Sequence, residues 1–288
     1  MKNIILLLLI ILCSCSEEKT VKELEKVEGE KKVDQNYSIK IKSYKENYEL
    51  YEPVILLVNS IREIQAGFIN GKIIRPDKTE HNFSALIELG EDRAEELFLL
   101  QDAKDYKFLF KEPGLYSIYL LDESGEKSNI VKVKIDPLKK GLNQDKIASF
   151  ESKSFFYFTL SGKLINIQIK KDVFTLIEHR PELRLSKYLN LKDALFTYKM
   201  YLSPAYEKTV KSVNFSELSN KMSTAISSYN NNDISLDIFL EAKFRLAHSL
   251  ALDKKYNKSL EVLDEIGLQP NRLSKEIEKL KNEIKKYQ

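Results

Sequence analysis

Residues 129–148 read NIVKVKIDPLKKGLNQDKIA, and the hydrophobic period changes within this stretch. Apolar residues alternate with lysines from Val131 to Ile135, which is the period of a strand that buries one face. Pro137 ends the alternation, and from Asn143 apolar residues recur every three to four positions, as in an amphipathic helix. The chain is therefore predicted to be multidomain, with an all-β part before this stretch and an all-α part after it.

Short apolar stretches separated by turn signals fill residues 36–137. The predicted strands are 37–43, 54–58, 65–74, 81–88, 105–110, 115–121 and 129–135. Several short strands within about 100 residues are typical of a β-sandwich, in which two sheets cover one core.

Two motifs in this region resemble immunoglobulin-like domains. The segment 48–58, YELYEPVILLV, resembles the second strand of the Ig-like modules of exported bacterial proteins. The segment 113–116, PGLY, resembles a tyrosine corner, in which the tyrosine hydroxyl bonds to upstream backbone. The resemblance implies an N-terminal Ig-like β-sandwich over residues 36–137. An architecture of this kind does not by itself imply a reaction.

Residues 143–288 are predicted to be helical. The expected helices are about 144–160, 165–179, 182–202, 215–230, 235–252, 256–266 and 271–287. Proline, glycine and an asparagine run separate them, as expected for helix ends.

One stretch of the helical part resembles a tetratricopeptide (TPR) repeat. Residues 242–270 read AKFRLAHSLALDKKYNKSLEVLDEIGLQP, with Leu246-Ala247 where the repeat has Leu-Gly and Ser259 where it has Ala. Pro270 closes the unit, but the tryptophan and the inter-helix glycine of the motif are absent. The resemblance implies a TPR-like helical domain over 143–288, built as a solenoid or as an irregular bundle.

The last predicted helix has a single apolar stripe. Its members are Leu273, Ile277, Leu280, Ile284 and Tyr287. The terminal helix of a repeat stack often has this pattern, because its other face meets water. We therefore predict that the stripe covers the helix at 256–266; the alternative is that it stays exposed until a partner binds.

Residues 1–14 have the organisation of a signal peptide. Ile4 to Leu12 is an unbroken run of nine aliphatic residues, whereas a membrane-spanning helix needs about 20. The run ends in Leu12-Cys13-Ser14-Cys15, which resembles the lipobox of bacterial lipoproteins. The resemblance implies cleavage before Cys15 and lipidation of Cys15, so that the N-terminal lipid holds the protein at a membrane.

Residues 15–35 are predicted to be a lipidated, charged linker. Residues 17–34 include seven acidic and five basic side chains and have no apolar stripe. Ser16-Glu17-Glu18 lacks the aspartate that retains enterobacterial lipoproteins at the inner membrane. We predict an extracytoplasmic protein, lipid-anchored to a bacterial membrane, with the outer membrane favoured and its periplasmic or surface face left open.

Composition narrows the function. The 46 basic and 43 acidic residues give a net charge of only +3, which argues against a nucleic-acid partner. Cys13 is expected to leave with the signal and Cys15 to be alkylated, so no thiol remains for a disulfide or a metal. No histidine pair has metal-ligand spacing, and Ser124-x-x-Lys127 lies in a predicted turn, where the catalytic Ser-x-x-Lys motif does not occur.

The sequence therefore predicts no catalytic, cofactor-binding or metal-binding residue, and an aromatic run at 155–158 is interpreted as core. The favoured hypothesis is a scaffold or accessory module that binds another protein of the cell envelope and is not an enzyme. The alternative is an envelope protein that binds or hydrolyses cell-wall material or carbohydrate.

Overall fold

The computed structural model of the protein describes residues 39–60, 67–87, 95–122, 124–139, 141–142, 144–163, 166–203, 214–229, 236–268 and 273–287. Within them, the strands of the N-terminal half precede the helices of the C-terminal half. The predicted order of an all-β part followed by an all-α part is confirmed. The signal segment, Cys15 and the linker 15–35 lie outside the described residues.

The strands form two sheets. They are β1 (Ile39–Ser43), β2 (Asn47–Glu49), β3 (Val54–Ser60), β4 (Gly67–Ile74), β5 (Glu80–Ile87), β6 (Glu95–Leu99), β7 (Gly114–Leu121) and β8 (Val131–Asp136). One sheet has the order β1-β3-β6 and the other β2-β8-β7-β4-β5. Neighbouring strands are antiparallel, except for β2 and β8, which are parallel.

The two sheets face each other across one apolar core. In β8, Val133 and Ile135 are buried while Lys132 and Lys134 are exposed, as the alternation predicted. The core also contains Leu56 from the opposite sheet. The strand period of two therefore decides which side chains lie between the sheets.

The strand prediction was wrong in one place and incomplete in two. Residues 105–110 form a turn and an extended segment, because the carboxylates of Asp102 and Asp105 accept backbone N–H groups two residues ahead, at 2.9 and 3.0 Å. Phe108 makes only an isolated bridge to Gln101. β2 and β6, of three and five residues, were not among the predicted strands. The predicted strand ends at Tyr37, Gln65 and Glu88 lie outside the described residues.

The described residues form eight helices. They are α1 (Gln144–Phe150), α2 (Lys153–Ser161), α3 (Ile167–His179), α4 (Arg184–Tyr201), α5 (Phe215–Ser227), α6 (Leu236–Leu252), α7 (Tyr256–Gly267) and α8 (Ser274–Lys285). The single helix predicted at 144–160 is two helices, because the side chain of Ser152 caps α2 by accepting the N–H of Phe155. Among the described helices, none is long and apolar enough to cross a membrane.

From α3 onward the helices pack in chain order, whereas α1 contacts α3 and α2 contacts α4. Each helix from α3 to α8 contacts the next, and α6 also contacts both α4 and α8. In the α6–α7 hairpin, the buried hydroxyl of Ser259 donates to the carbonyl of Ala247 at 2.7 Å, so a small side chain lies where the two helices approach closely.

Helix α8 covers the end of this stack, as predicted. Ile277, Leu280 and Ile284 are buried in one cluster with Leu263 and Ile266 of α7. Leu273 is half-buried in the same cluster, whereas Tyr287 is 72 % exposed and stacks on the ring of Tyr256 at 6.0 Å. The aliphatic part of the apolar stripe is therefore covered within the chain, whereas Tyr287 is largely exposed.

The sheets and the helices share apolar cores. Ile55 and Phe98 project from the outer face of the three-stranded sheet and pack among α4, α5 and α6. The segment between the two parts also packs, because Leu138 and Leu142 lie against the helical core. Sheets and helices therefore bury each other's apolar surface instead of meeting only through a connecting segment.

Candidate functional site

A cleft lies where the three-stranded sheet meets the helices. It has a volume of about 110 Å³ and is bounded by β5, β6, α2, α4 and α6. Its apolar walls are Leu86, Phe98, Leu160, Leu191, Leu195 and Ile238. Its charged side chains are Glu96, Lys192, Lys199, Glu241 and Arg245. We call this the junction cleft.

Helical periodicity places these residues together. Tyr188, Leu191, Lys192, Leu195 and Lys199 of α4 recur at helical spacing and form one face of that helix. Residues 238, 241 and 245 of α6 do the same on the opposite wall. From Tyr188 to Lys199 the face extends for about 16 Å, at about 1.5 Å per residue.

Lys192 contacts the carbonyl of Leu160 and two aromatic rings in the cleft. Its Nζ donates to the carbonyl of Leu160 at 2.8 Å and lies 5.6 Å and 5.5 Å from the ring centroids of Phe98 and Tyr188. The two rings stack at 6.2 Å. A carbonyl at a helix C-terminus and aromatic faces both attract a cation. The ammonium is therefore a positioned charge, in contrast to a lysine that extends into solvent.

Gly162 makes this arrangement possible. It ends α2 with a φ of 77°, and its N–H donates to the carbonyl of Phe158 at 2.7 Å. A Cβ atom at this position would lie 2.2 Å from the carbonyl oxygen of Lys192. Only glycine lets the end of α2 approach α4 so closely.

Arg245 is a second positioned cation. Its guanidinium donates to Glu241 at 2.7 and 3.2 Å, one helical turn away, and lies 5.0 Å from the ring of Tyr198. Tyr198 in turn bonds to Nδ1 of His248 at 2.7 Å. Burial raises the pKa of Tyr198 and lowers the pKa of His248, so both shifts favour the neutral form of the side chain.

A separate polar cluster joins the sheets to α4. Leu183, at the N-cap of α4, provides no side-chain hydrogen bond, and Glu49 of β2 instead accepts the N–H of Arg184 at 2.8 Å. Glu52, only 6 % exposed, accepts the N–H of Glu49 at 2.8 Å and pairs with Lys45. Burial raises the pKa of Glu52, and the Lys45 ammonium opposes this shift. This cluster fixes the helical stack to the sheets.

The structure does not bring the three histidines together. His81 lies on β5, His179 at the end of α3 and His248 on α6. His179 is exposed, and its Nδ1 lies 3.0 Å from the carbonyl oxygen of Thr175. In the described part of the chain, no group of three His, Cys, Asp or Glu side chains could hold a metal ion.

The Ser124-x-x-Lys127 segment lies in the turn between β7 and β8. The Ser124 hydroxyl donates to Asp122 at 2.7 Å, and the Lys127 ammonium lies 4.8 Å from the ring of Tyr119. Ser124 and Lys127 are therefore held by different neighbours, Asp122 and Tyr119.

One group of neighbouring serine, histidine and aspartate side chains was not predicted from the sequence. His81 Nε2 lies 3.8 Å from the carboxylate of Asp102, which also accepts the N–H of Ser84 at 3.3 Å. The Ser84 hydroxyl, however, donates to Asn70 at 2.6 Å. Successive strand residues point to opposite faces, so Ser84 and His81, three positions apart, do not share a face.

The aromatic run at 155–158 is core, as interpreted: Phe155, Phe156 and Phe158 are buried. The junction cleft was not predicted from the sequence, because charged residues make up 31 % of the chain and no local pattern distinguishes Lys192 or Arg245 from the others. No known protein-family model matches the chain, and a search of curated proteins finds no significant match.

Proposed function

We propose that this protein is a lipid-anchored scaffold or accessory module of the bacterial cell envelope that binds another protein and is not an enzyme. The observation that carries the proposal is the junction cleft. Its volume of about 110 Å³ is well below the roughly 300–1,000 Å³ of sites for small-molecule ligands. A cleft of this size, with apolar walls and a charged rim, accommodates individual side chains of another protein whose backbone lies along the rim.

An Ig-like identity for the sheets belongs to this proposal. The order β1-β3-β6 opposite β8-β7-β4-β5 corresponds to the A-B-E and G-F-C-C′ order of that fold. The Tyr116 hydroxyl donates to the carbonyl of Glu112 at 2.7 Å, as a tyrosine corner requires.

A TPR-like identity for the helices belongs to it as well. The α6–α7 hairpin turns at Lys254, whose φ is 58°, where the repeat usually has a glycine. Helix α8 then covers the stack as a cap does. Both folds commonly present surfaces to other proteins, which fits a tethered binding module.

The tether is tested by metabolic labelling with palmitate. Wild-type protein is expected to incorporate the label at Cys15, and Cys15→Ala is expected to remain unlabelled and leave the membrane fraction. Labelled Cys15→Ala protein would remove the lipid anchor from the proposal.

Binding is tested in cells with a photo-crosslinking amino acid at Lys199, on the rim of the cleft, and at Lys258, an exposed residue at the start of α7. We expect position 199 to crosslink reproducibly to one envelope protein and position 258 not to do so. Turnover of peptidoglycan, envelope polysaccharide or ester substrates by the purified protein would overturn the proposal in favour of an enzyme.

A further inference from the structure

The junction cleft has a shape that restricts its occupant. Its α4 wall is about 16 Å long, and an extended chain of about five residues covers that distance at about 3.3 Å per residue. β6, on the opposite side, is an edge strand of its sheet. The length of the α4 wall and the neighbouring sheet edge therefore match a short extended segment.

The charges of the cleft restrict the occupant further. Three basic side chains, Lys192, Lys199 and Arg245, lie with two acidic ones, Glu96 and Glu241. Glu241 pairs with Arg245 on the same helix. The rim is therefore net positive, and Lys192 and Arg245 are already held in position by aromatic rings and hydrogen bonds, so little ordering cost remains when they bind an anion.

Apolar walls border these cations. Leu191 and Leu195 of α4 face Ile238 of α6. A purely charged ligand would leave these apolar side chains exposed to water. A purely apolar ligand would displace water from the cations without providing a hydrogen-bond acceptor in its place.

From these features, and resting on the proposed binding function, we infer that the junction cleft binds an extended segment of a partner protein with one carboxylate and with aliphatic side chains two residues before and two residues after it. These three side chains point to the same side of the segment. The carboxylate lies against Lys192 and Arg245, near the exposed Lys199, and the aliphatic side chains pack on Leu191, Leu195 and Ile238.

The test uses the full-length protein in detergent and three fluorescent peptides, read by anisotropy. They are Leu-Ser-Glu-Ser-Leu, whose Leu and Glu side chains share one face when the chain is extended, and the same peptide with Gln or Lys at the centre. We expect the Glu peptide to bind at least about tenfold more tightly than the Gln peptide, since a charge-assisted hydrogen bond contributes about that factor. The Lys peptide is expected to bind more weakly than both.

Two variants locate the binding. Lys199→Glu reverses a charge on the rim and Lys258→Glu makes the same change at an exposed site on α7. We expect Lys199→Glu to weaken binding of the Glu peptide at least several-fold, with Lys258→Glu unchanged. Arg245→Gln, which removes a positioned cation, is expected to weaken it as much or more.

Equal binding of the Glu and Gln peptides, no measurable binding, or equal effects of the two lysine variants would overturn the inference. None of these results depends on lipidation or on the cellular crosslink. A protein that fails the peptide test but still crosslinks through position 199 to an envelope partner retains the proposed function with a different kind of bound segment. A protein that binds the peptide but carries no lipid retains the cleft and loses the tether.

Discussion

Replacing Gly162 by alanine tests how closely α2 approaches α4 beside the junction cleft. Two costs are expected. An L-residue at a φ of 77° is strained by roughly 1–2 kcal/mol. The new Cβ would also lie 2.2 Å from the carbonyl oxygen of Lys192 and 2.7 Å from Cβ of Phe196, and neither atom is at the end of a flexible chain. Overpacking of this kind typically costs about 1–3 kcal/mol.

Gly125 provides the matched control. Its φ is 84°, so alanine is strained there as well, but a Cβ would meet nothing within 4 Å. Both substitutions reduce the freedom of the unfolded chain equally, a gain of about 0.4–1 kcal/mol that cancels in the comparison. We therefore expect Gly162→Ala to be less stable than Gly125→Ala by about 1–3 kcal/mol, the steric contribution alone.

Urea denaturation followed by far-ultraviolet circular dichroism measures this difference. With a slope of about 2 kcal/mol per molar urea, a 2 kcal/mol difference separates the midpoints by about 1 M. Gly162→Ala is also expected to weaken binding of the Glu peptide, because a displaced end of α2 moves the Leu160 carbonyl that holds Lys192. Equal midpoints for the two variants would refute the close contact between α2 and α4.

Three further outcomes are expected. Ile284→Ala, at a residue only 2 % exposed in the α8 cap, should lower the free energy of unfolding by about 2–5 kcal/mol. Lys279→Ala, on the exposed face of α8, should leave the urea midpoint nearly unchanged. Equal midpoints for the two variants would contradict the capping role of α8. Glu49→Ala should cost about 0.5–2 kcal/mol in the same assay, because it leaves the first N–H of α4 without its acceptor, and an unaltered midpoint would show that Glu49 does not cap the helix. Because burial lowers the pKa of His248 from its ordinary 6.5, the unfolded chain binds that proton more readily. The contribution of His248 to stability is therefore complete above pH 6.5 and is lost as the pH falls from there through the folded-state pKa. Between neutral and mildly acidic pH, the melting temperature of His248→Gln should fall less than that of wild type. Equal decreases would count against the buried imidazole.

The hydrophobic period predicted the fold where a segment buries one face and is long enough to repeat. β8 alternates Val133 and Ile135 with lysines, and α8 repeats Ile277, Leu280 and Ile284 at helical spacing. Both elements have the type and the buried face that their pattern predicted, because burial of one face is the physical origin of each period.

The same reasoning failed where local bonds override the period. Residues 105–110 have enough apolar character for a strand, but the side chains of Asp102 and Asp105 fold the backbone into turns. β2 has only three residues, too few to show a period. The α1–α2 break depends on a single serine whose side chain caps the next helix. Individual hydrogen bonds determine these local structures, and a hydrophobic period averaged over a window of residues does not detect them.

The candidate site could not be predicted for a different reason. Phe98 comes from β6, Lys192 from α4 and Arg245 from α6, so the cleft exists only after the sheet packs on the helices. Glu49 supports this packing from β2 by capping α4. A fragment that holds only the sheets or only the helices therefore lacks one wall of the cleft and exposes the apolar surface that the other part covers. Binding through the junction cleft is accordingly a property of the two parts together, and its loss in an isolated fragment would follow from the missing wall even if every rim residue were retained.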